Sequence, residues 1–225
     1  MRQIVLDTET TGLDPALGHR VIEIGALEIV NRQAVGATYH VYLNPEREID
    51  AGAVQVHGLT SEFLADKPRF ADIAHEFLEF VRGAELVIHN APFDVGFLNA
   101  ELAKLKEGPV KRYCAVRDTL KLAKELHPGQ KNNLDALCRR YEVDNSGRAF
   151  HGALLDAQLL AEVYLAMTRG QETLSIDIAS PAQAEAATLV RRGVLKVLRA
   201  DAVERDAHAA YLAGMAKECG DAPAW

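Results

Sequence analysis

Cysteine is scarce in this sequence of 225 residues, and its three copies lie far apart. Cys114, Cys138 and Cys219 form no closely spaced pair, and their number is odd. We therefore interpret them as reduced thiols. This interpretation excludes a disulfide framework and a zinc site built from clustered cysteines.

Long apolar segments are missing as well. No run approaches the roughly 18 residues that a membrane-spanning helix requires. The N-terminus, MRQIVLDTET, has neither the apolar stretch nor the small-residue cleavage site of a secretory signal. We therefore expect a cytoplasmic protein without a membrane partner.

Positive charge is also in short supply. The chain has 25 Lys and Arg residues against 32 Asp and Glu residues, a formal net charge of −7. Proteins that hold nucleic acid only by neutralising its phosphates are typically basic. Any role on nucleic acid therefore requires metal ions that supply positive charge locally, or a partner that delivers the polymer.

The remaining composition is that of a globular protein, with 48% hydrophobic and 25% charged residues. The β-rich segments 4–6, 21–30 and 38–43 predict an antiparallel meander. Apolar residues at helical spacing predict a helix from Phe70 to Val81, and a buried strand follows at 86–88. Further helices are predicted from Val95 to near Gly108-Pro109 and at 118–126, 134–141 and 153–167. This order indicates an α/β fold, a mixed sheet with helices on it.

The C-terminal part of the sequence differs in character. Residues 171–187 show no apolar period and contain Ser, Ala, Gln and Pro, which is typical of a linker. Beyond them, Asp201 and Glu204 have the spacing of a capping box, which predicts a helix that Gly220 ends. The sequence therefore predicts a small helical tail after the linker.

Acidic residues at a strand end form the first candidate site. Asp7 and Glu9 are two residues apart after the apolar run 4–6, so the strand period directs both carboxylates to one face. Carboxylate oxygens are the ligands that Mg²⁺ prefers. The alternative is a pair of carboxylates that simply face water.

Two histidine-containing segments supply further candidates. His89, Asn90 and Asp94 lie where a predicted strand turns into a helix. Here the alternative is that Asn90 caps the helix and Asp94 complements its dipole. His151 precedes Asp156 by five residues, about 140° apart on an ideal helix, so we place His151 in the preceding loop. A loop histidine beside a fixed aspartate suits a general base, and the alternative is a surface histidine.

Together, Asp7-x-Glu9, His89-Asn90-x-x-x-Asp94 and His151-x-x-x-x-Asp156 resemble the motifs of the DEDDh family of 3′–5′ exonucleases. The resemblance is dense over about residues 3–170. It implies a ribonuclease H-like fold in which four carboxylates hold two divalent cations, Mg²⁺ or Mn²⁺, and His151 is the general base. Gly152 stands where the tyrosine-type relatives have Tyr, which favours the histidine branch.

The resemblance also implies a substrate and its contacts. The substrate is DNA with a single-stranded 3′ end, hydrolysed to nucleoside 5′-monophosphates. The contacts to it are expected from Asp7, Thr8, Glu9, Thr10, His57, Asn90 and Asp156. Gly52 stands where relatives have an acidic residue, so the resemblance does not supply the sugar contacts in detail.

Three functional hypotheses follow from the motifs. The first is a proofreading exonuclease that works as a subunit of a replicative polymerase. The second is an RNA-processing exonuclease of the same superfamily, because the five catalytic residues do not read the 2′-hydroxyl. The third is a scaffold that has lost the reaction, and the intact set of four carboxylates and His151 argues against it.

The tail favours the first hypothesis. We predict an exonuclease domain at 1–170, a linker at 171–187 and a polymerase-binding tail at 188–225. Gln171, Leu174 and Ile176 resemble a weak sliding-clamp-binding motif, and the alternative is ordinary linker. The resemblance implies that the tail binds the catalytic (alpha) subunit of the polymerase. Trp225 is a candidate anchor because tryptophan is enriched at interface hot spots, and the alternative is an unstructured end.

Overall fold

The structure is a computed structural model that describes residues 2–147, 150–169 and 200–219. Five strands and eight α-helices lie in the described part of the chain: β1 Arg2–Thr10, β2 Val21–Val30, β3 Gln33–Tyr42, α1 Ala51–His57, α2 Ser61–Leu64, α3 Phe70–Val81, β4 Glu85–Ile88, α4 Ala91–Lys104, β5 Ala115–Asp118, α5 Thr119–Leu126, α6 Leu134–Tyr141, α7 Ala153–Met167 and α8 Ala202–Cys219. Two short 3₁₀-helices occupy Pro15–Leu17 and Val110–Arg112.

The strands form a single mixed sheet in the order β3-β2-β1-β4-β5. β1, β2 and β3 are antiparallel, as the meander prediction required, and β4 and β5 run parallel to their neighbours. The predicted fold class, a ribonuclease H-like mixed sheet flanked by helices, is confirmed. Parallel strands bring their carboxyl ends to one edge, so residues that follow β1 and β4 meet there.

Side chains of β1 alternate between two apolar layers. Ile4 and Leu6 pack in the layer that contains residues of α3 and α4. Val5 packs on the opposite side, among residues of α7, α6 and α5. Alternate side chains of a strand point to the same side of the sheet. Asp7 and Glu9 therefore lie on the side of Val5, toward α7, and Thr8 lies on the other side, toward α4.

A glycine in β2 permits the close approach of α7. Gly25 lies opposite Asp7 in the β1–β2 pairing. A Cβ atom built on Gly25 would lie 2.1 Å from the backbone nitrogen of Leu154. Only glycine therefore allows the first turn of α7, which carries Asp156, to contact the sheet beside Asp7.

Several elements differ from their sequence prediction. Strand β5 and helices α1 and α2 were not predicted. Asp118, predicted as the first residue of a helix, instead ends β5 and caps α5, its Oδ1 accepting from Leu120 N at 2.9 Å. Helix α4 ends at Lys104, short of the predicted boundary.

The chain divides into two compact units, Met1–Thr173 and Leu174–Trp225. The described part of the second unit contains α8, whose start follows the predicted capping box. Asp201 Oδ1 accepts from Glu204 N at 2.8 Å, and Glu204 Oε2 accepts from Asp201 N at 3.0 Å. Within the described residues, no helix has the length and apolar character needed to cross a membrane.

Candidate active site

The carboxyl edge of the sheet forms a cleft of about 210 Å³. Asp7 and Glu9 come from the end of β1, and Asp94 from the first turn of α4. Asp156 lies in the first turn of α7, and His151 in the loop just before it. All five line the cleft, together with Thr8, His89, Asn90, Phe93 and Leu134. The three motifs that are distant in sequence are therefore brought to one place.

Asp94 is an acid of the cleft with a perturbed pKa. Its side chain is buried, and its Oδ1 accepts from Thr8 Oγ1 at 2.7 Å. Burial raises the pKa of Asp94 to about 7, against the lowering effect of the Thr8 hydrogen bond. A carboxylate held in this position is costly without a positive charge beside it. Asp94 therefore fits the role of a metal ligand.

Glu9, His151 and Asp156 form a second group within the same cleft. They offer ligand atoms that lie within 4.8 Å of one another. Glu9 and Asp156 are buried, whereas His151 is exposed and lies in the loop, as predicted. His151 Nδ1 is 3.4 Å from Asp156 Oδ2. Since the donors in the cleft are mostly carboxylates, the set suits a hard divalent cation such as Mg²⁺ or Mn²⁺.

Asn90 does not act as the helix cap that the alternative interpretation proposed. It occupies the N-cap position of α4, but its side chain makes no capping hydrogen bond. Its φ of 66° places it in the left-handed region, which asparagine tolerates better than most residues. The side chain of Asn90 lines the cleft instead.

A larger pocket of about 490 Å³ adjoins the cleft and shares Thr8, Glu9 and Phe93 with it. We call it the side pocket. Its other lining residues are Thr10, Gly12, Leu13, Asp50, Gly52, Ala53, Val56 and His57. Thr10 and His57, which the sequence analysis assigned to substrate contacts, therefore lie beside the catalytic cleft. Residue 52 of the side pocket is glycine, so it supplies no carboxylate where relatives have an acidic residue.

His57 has a defined tautomer in the side pocket. Its Nδ1 accepts from the backbone N–H of Leu59 at 3.0 Å, so the proton of the neutral ring is on Nε2. Burial lowers the pKa of His57, which favours this neutral form. The ring therefore contributes no positive charge to the pocket, and its Nε2 atom is buried.

Part of the cleft wall was not predicted from the sequence. His89 and Phe93 lie within the quoted second motif, yet no role was assigned to either. Leu134 belongs to none of the three motifs, and its place in the cleft wall depends on how α6 packs. The predicted partner residues Gln171, Leu174, Ile176 and Trp225 lie outside the residues that the structure describes.

Fold and site together define a nuclease, and comparison with known proteins identifies its family. The family profile described as Exonuclease matches residues 4–164. The chain belongs to this exonuclease family, and the resemblance found in its motifs is confirmed. Membership implies dependence on divalent metal ions.

Curated relatives of the chain include epsilon subunits of DNA polymerase III. The chain is 50% identical to DNA polymerase III subunit epsilon of Escherichia coli (strain K12), covering 97% of this chain and 95% of the relative. It is 46% identical to the same subunit of Haemophilus influenzae, covering 100% of this chain and 94% of the relative. The similarity therefore includes the C-terminal part as well as the nuclease domain.

Solved structures agree on the fold. Exonuclease X in complex with 5′ overhanging duplex DNA matches with a TM-score of 0.60 and 26% identity, covering 75% of this chain and 92% of that one. A zinc-bound complex of Escherichia coli exonuclease I with single-stranded DNA has a TM-score of 0.67 at 19% identity, covering 76% of this chain and 41% of that one. The second match supports the fold alone.

The raised pKa of Asp94 leads to a stability prediction for the metal-free protein. Because the folded pKa of about 7 exceeds the usual 3.8, stability is lost as pH rises from about 4 to about 7. Asp94→Asn removes this loss, so above pH 7 the metal-free variant should melt at a higher temperature than the parent. Calorimetry can detect this, since about 1 kcal/mol shifts the melting temperature of a chain of this size by roughly 2–4 °C.

Added Mg²⁺ or Mn²⁺ should reverse the order, because only the parent keeps the ligand. Glu79→Gln, on the exposed face of α3, is the matched control and should leave both melting curves unchanged. Equal melting temperatures for the parent and Asp94→Asn at all pH values would show that the pKa of Asp94 is not raised in the folded protein.

Proposed function

We propose that this protein is the proofreading 3′–5′ exodeoxyribonuclease of a replicative DNA polymerase III. It removes mispaired 3′-terminal nucleotides as 5′-monophosphates, and its proposed location is the cytoplasm. The observation that carries the proposal is the convergence of Asp7, Glu9, Asp94, Asp156 and His151 in one cleft. The similarity to epsilon subunits over nearly the whole chain supports the polymerase assignment.

The four carboxylates would hold two divalent cations, Mg²⁺ or Mn²⁺. When bound, such ions activate a water nucleophile and offset negative charge on the phosphodiester and the leaving oxygen. The carboxylate of Asp94 is buried, which favours a bound cation beside it. Thr8 orients this carboxylate through the 2.7 Å hydrogen bond. This donor set also explains how a chain of net charge −7 can act on a polyanion.

His151 is proposed as the general base. Its exposed imidazole is accessible to water and substrate, and its Nδ1 faces Asp156 Oδ2 at 3.4 Å. The ring takes the proton of the attacking water, and the adjacent carboxylate stabilises the imidazolium that forms. A loop position allows the ring to approach the substrate and withdraw after the reaction.

The side pocket is proposed to hold the 3′-terminal nucleotide. It opens next to the carboxylates and is lined by apolar side chains, including Val56 and Phe93, which suit a base. Thr10 and His57 are proposed to contact the nucleotide there, and Asn90 and Thr8 to do so in the cleft. DNA is favoured as the polymer because exonuclease X, at 26% identity, is seen with duplex DNA.

The activity is tested by product analysis on four substrates of one sequence: single-stranded DNA, single-stranded RNA, and primer–templates with a matched or a mismatched 3′ end. We expect 5′-monophosphates from the DNA substrates, and faster release from the mismatched than from the matched end. Since a base-pair step is worth about 1.4 kcal/mol, that difference should be roughly tenfold. Chelator should stop all release. Faster hydrolysis of the RNA would instead favour RNA processing.

The domain boundaries, the linker and the tail form a second part of the proposal. The exonuclease domain covers 1–170, residues 171–187 connect it, and 188–225 bind the polymerase alpha subunit with Trp225 as an anchor. Helix α8 exposes Val203 and Tyr211, which supports a binding role for the tail. Such a tether raises the local concentration of nuclease at the primer end without new DNA contacts. Gln171, Leu174 and Ile176 are proposed to bind the sliding clamp.

Two variants separate these contacts. A chain that ends after Gly170 should stay folded and hydrolyse short single strands at a near-parent rate, yet lose co-purification with the alpha subunit. The full chain with Gln171→Ala and Leu174→Ala should keep the alpha subunit and bind the clamp more weakly. Retention of the alpha subunit by the truncated chain would place the attachment on the nuclease domain. Unchanged clamp affinity would show that Gln171, Leu174 and Ile176 are ordinary linker residues.

A further inference from the structure

The loop that carries His151 is attached to α1 as well as to α7. The backbone N–H of His151 donates to the carbonyl oxygen of Val56, in the last turn of α1, at 3.1 Å. The imidazole of His151 meanwhile lies in the cleft. The position of this ring therefore depends on α1, an element that contributes none of the four carboxylates.

A second contact joins the same two segments. Helix α1 ends at Gly58, whose φ of 73° lies in the left-handed region. Because Gly58 has no side chain, the ring of Phe150 lies directly against it. A Cβ atom built there would be 3.3 Å from Phe150 Cγ. Phe150, the residue before His151, is therefore held on the C-terminal end of α1.

Phe150 is a poor candidate for a core residue. Its side chain is 60% exposed and belongs to neither of the two apolar clusters of the domain. An exposed phenylalanine contributes little to the free energy of unfolding. The contact between Phe150 and Gly58 is best explained as one that holds the next residue, His151, in position.

Helix α1 also forms a wall of the side pocket, through Ala53, Val56 and His57. The loop of the proposed base thus rests on the same helix that contacts the proposed site of the terminal nucleotide. A general base must lie within hydrogen-bond reach of the proton that it accepts. A displacement of about 1 Å can lower a rate by as much as 10²-fold.

We propose that Phe150 is a positioning residue for His151: it docks the His151 loop on Gly58 of α1 and so holds the imidazole at the cleft. The proposal rests on the proposed function of His151 as the base. A different role for an exposed aromatic beside a nuclease cleft is direct stacking on a nucleotide. The two roles predict different kinetics.

The kinetic test uses the full chain, single-stranded DNA and saturating Mn²⁺. Phe150→Ala should lower kcat by about 10-fold or more and leave KM unchanged, because the substrate site is intact while the base is misplaced. Phe150→Leu keeps an apolar contact with Gly58 and should restore most of kcat. Phe63→Ala, an exposed phenylalanine that lines neither pocket, is the matched control and should leave kcat unchanged.

The decisive comparison is made in a His151→Ala background. If Phe150 acts through His151, Phe150→Ala should cause no further loss there. An equal loss of kcat with and without His151 would overturn the proposal, and a rise in KM in both backgrounds would instead show stacking on the substrate. An unchanged kcat in the single variant would also overturn it.

A second readout does not depend on activity. The amide of His151, which donates to Val56, should exchange its hydrogen faster in Phe150→Ala than in the parent or in Phe150→Leu. Unchanged exchange would show that Phe150 does not hold the loop. If the parent chain releases no nucleotides, the proposed function fails, and hydrogen exchange still decides whether Phe150 positions this loop.

Discussion

Replacing Asp7 and Glu9 together by alanine should lower metal-dependent hydrolysis by about 10³-fold or more. Both side chains continue the α7 face of β1 and line the cleft with Asp156. Their loss removes two of the four carboxylates proposed to hold the cations, whose stabilisation of developing charge is worth several kcal/mol. At about 1.4 kcal/mol per tenfold change in rate, this corresponds to the expected loss.

The rate is measured on single-stranded DNA over a range of Mg²⁺ and Mn²⁺ concentrations. Glu76→Ala with Glu79→Ala is the matched control, because it also removes two carboxylates, both from the exposed face of α3. The control should keep the parent rate. Circular dichroism should show that both double variants are folded. A double variant of Asp7 and Glu9 that retained the parent rate would show that the assigned site is wrong.

His151→Ala should lower kcat by about 10²–10⁴-fold, the usual contribution of a general base. Its affinity for Mn²⁺ should change much less, because the carboxylates remain. The distinction matters because the imidazole lies close to Glu9 and Asp156, within the 4.8 Å that would also suit a metal ligand. Measuring both quantities on one variant therefore separates a base from a ligand.

Turnover is measured at saturating Mn²⁺, and affinity by calorimetric titration of the metal. His75→Ala, on the exposed face of α3, removes a histidine that belongs to none of the three motifs, and it should leave both values at the parent level. A His151→Ala protein with normal turnover at saturating metal, but with weak metal binding, would make His151 a ligand and leave the base unassigned.

Much of the fold was predictable because its signals are local. Helix α3 was predicted with both ends correct, since six of its apolar residues repeat at helical spacing and are buried. The capping box of α8 was predicted from Asp201 and Glu204 alone, because a cap involves residues three positions apart. The catalytic set was recognised from three motifs in a fixed order, which needed no knowledge of their contacts.

Other elements carry too weak a local signal. Strand β5 has four residues, and its exposed and half-buried positions alternate without an apolar run. Its pairing beside β4 comes from the sheet. Helix α1 has seven residues, and His57 is its one buried side chain. Its place beside the cleft follows from packing against the rest of the domain and not from its own periodicity.

The sequence by itself determined the order of the elements and the types of residue that carry the chemistry. Tertiary structure alone decided the contacts between them: the hydroxyl of Thr8 on Asp94, 86 residues away, and the backbone of Leu154 against Gly25. It also decided that the His151 loop rests on Val56. These contacts join residues that are far apart in the chain, and local propensity and spacing contain no information about such distances.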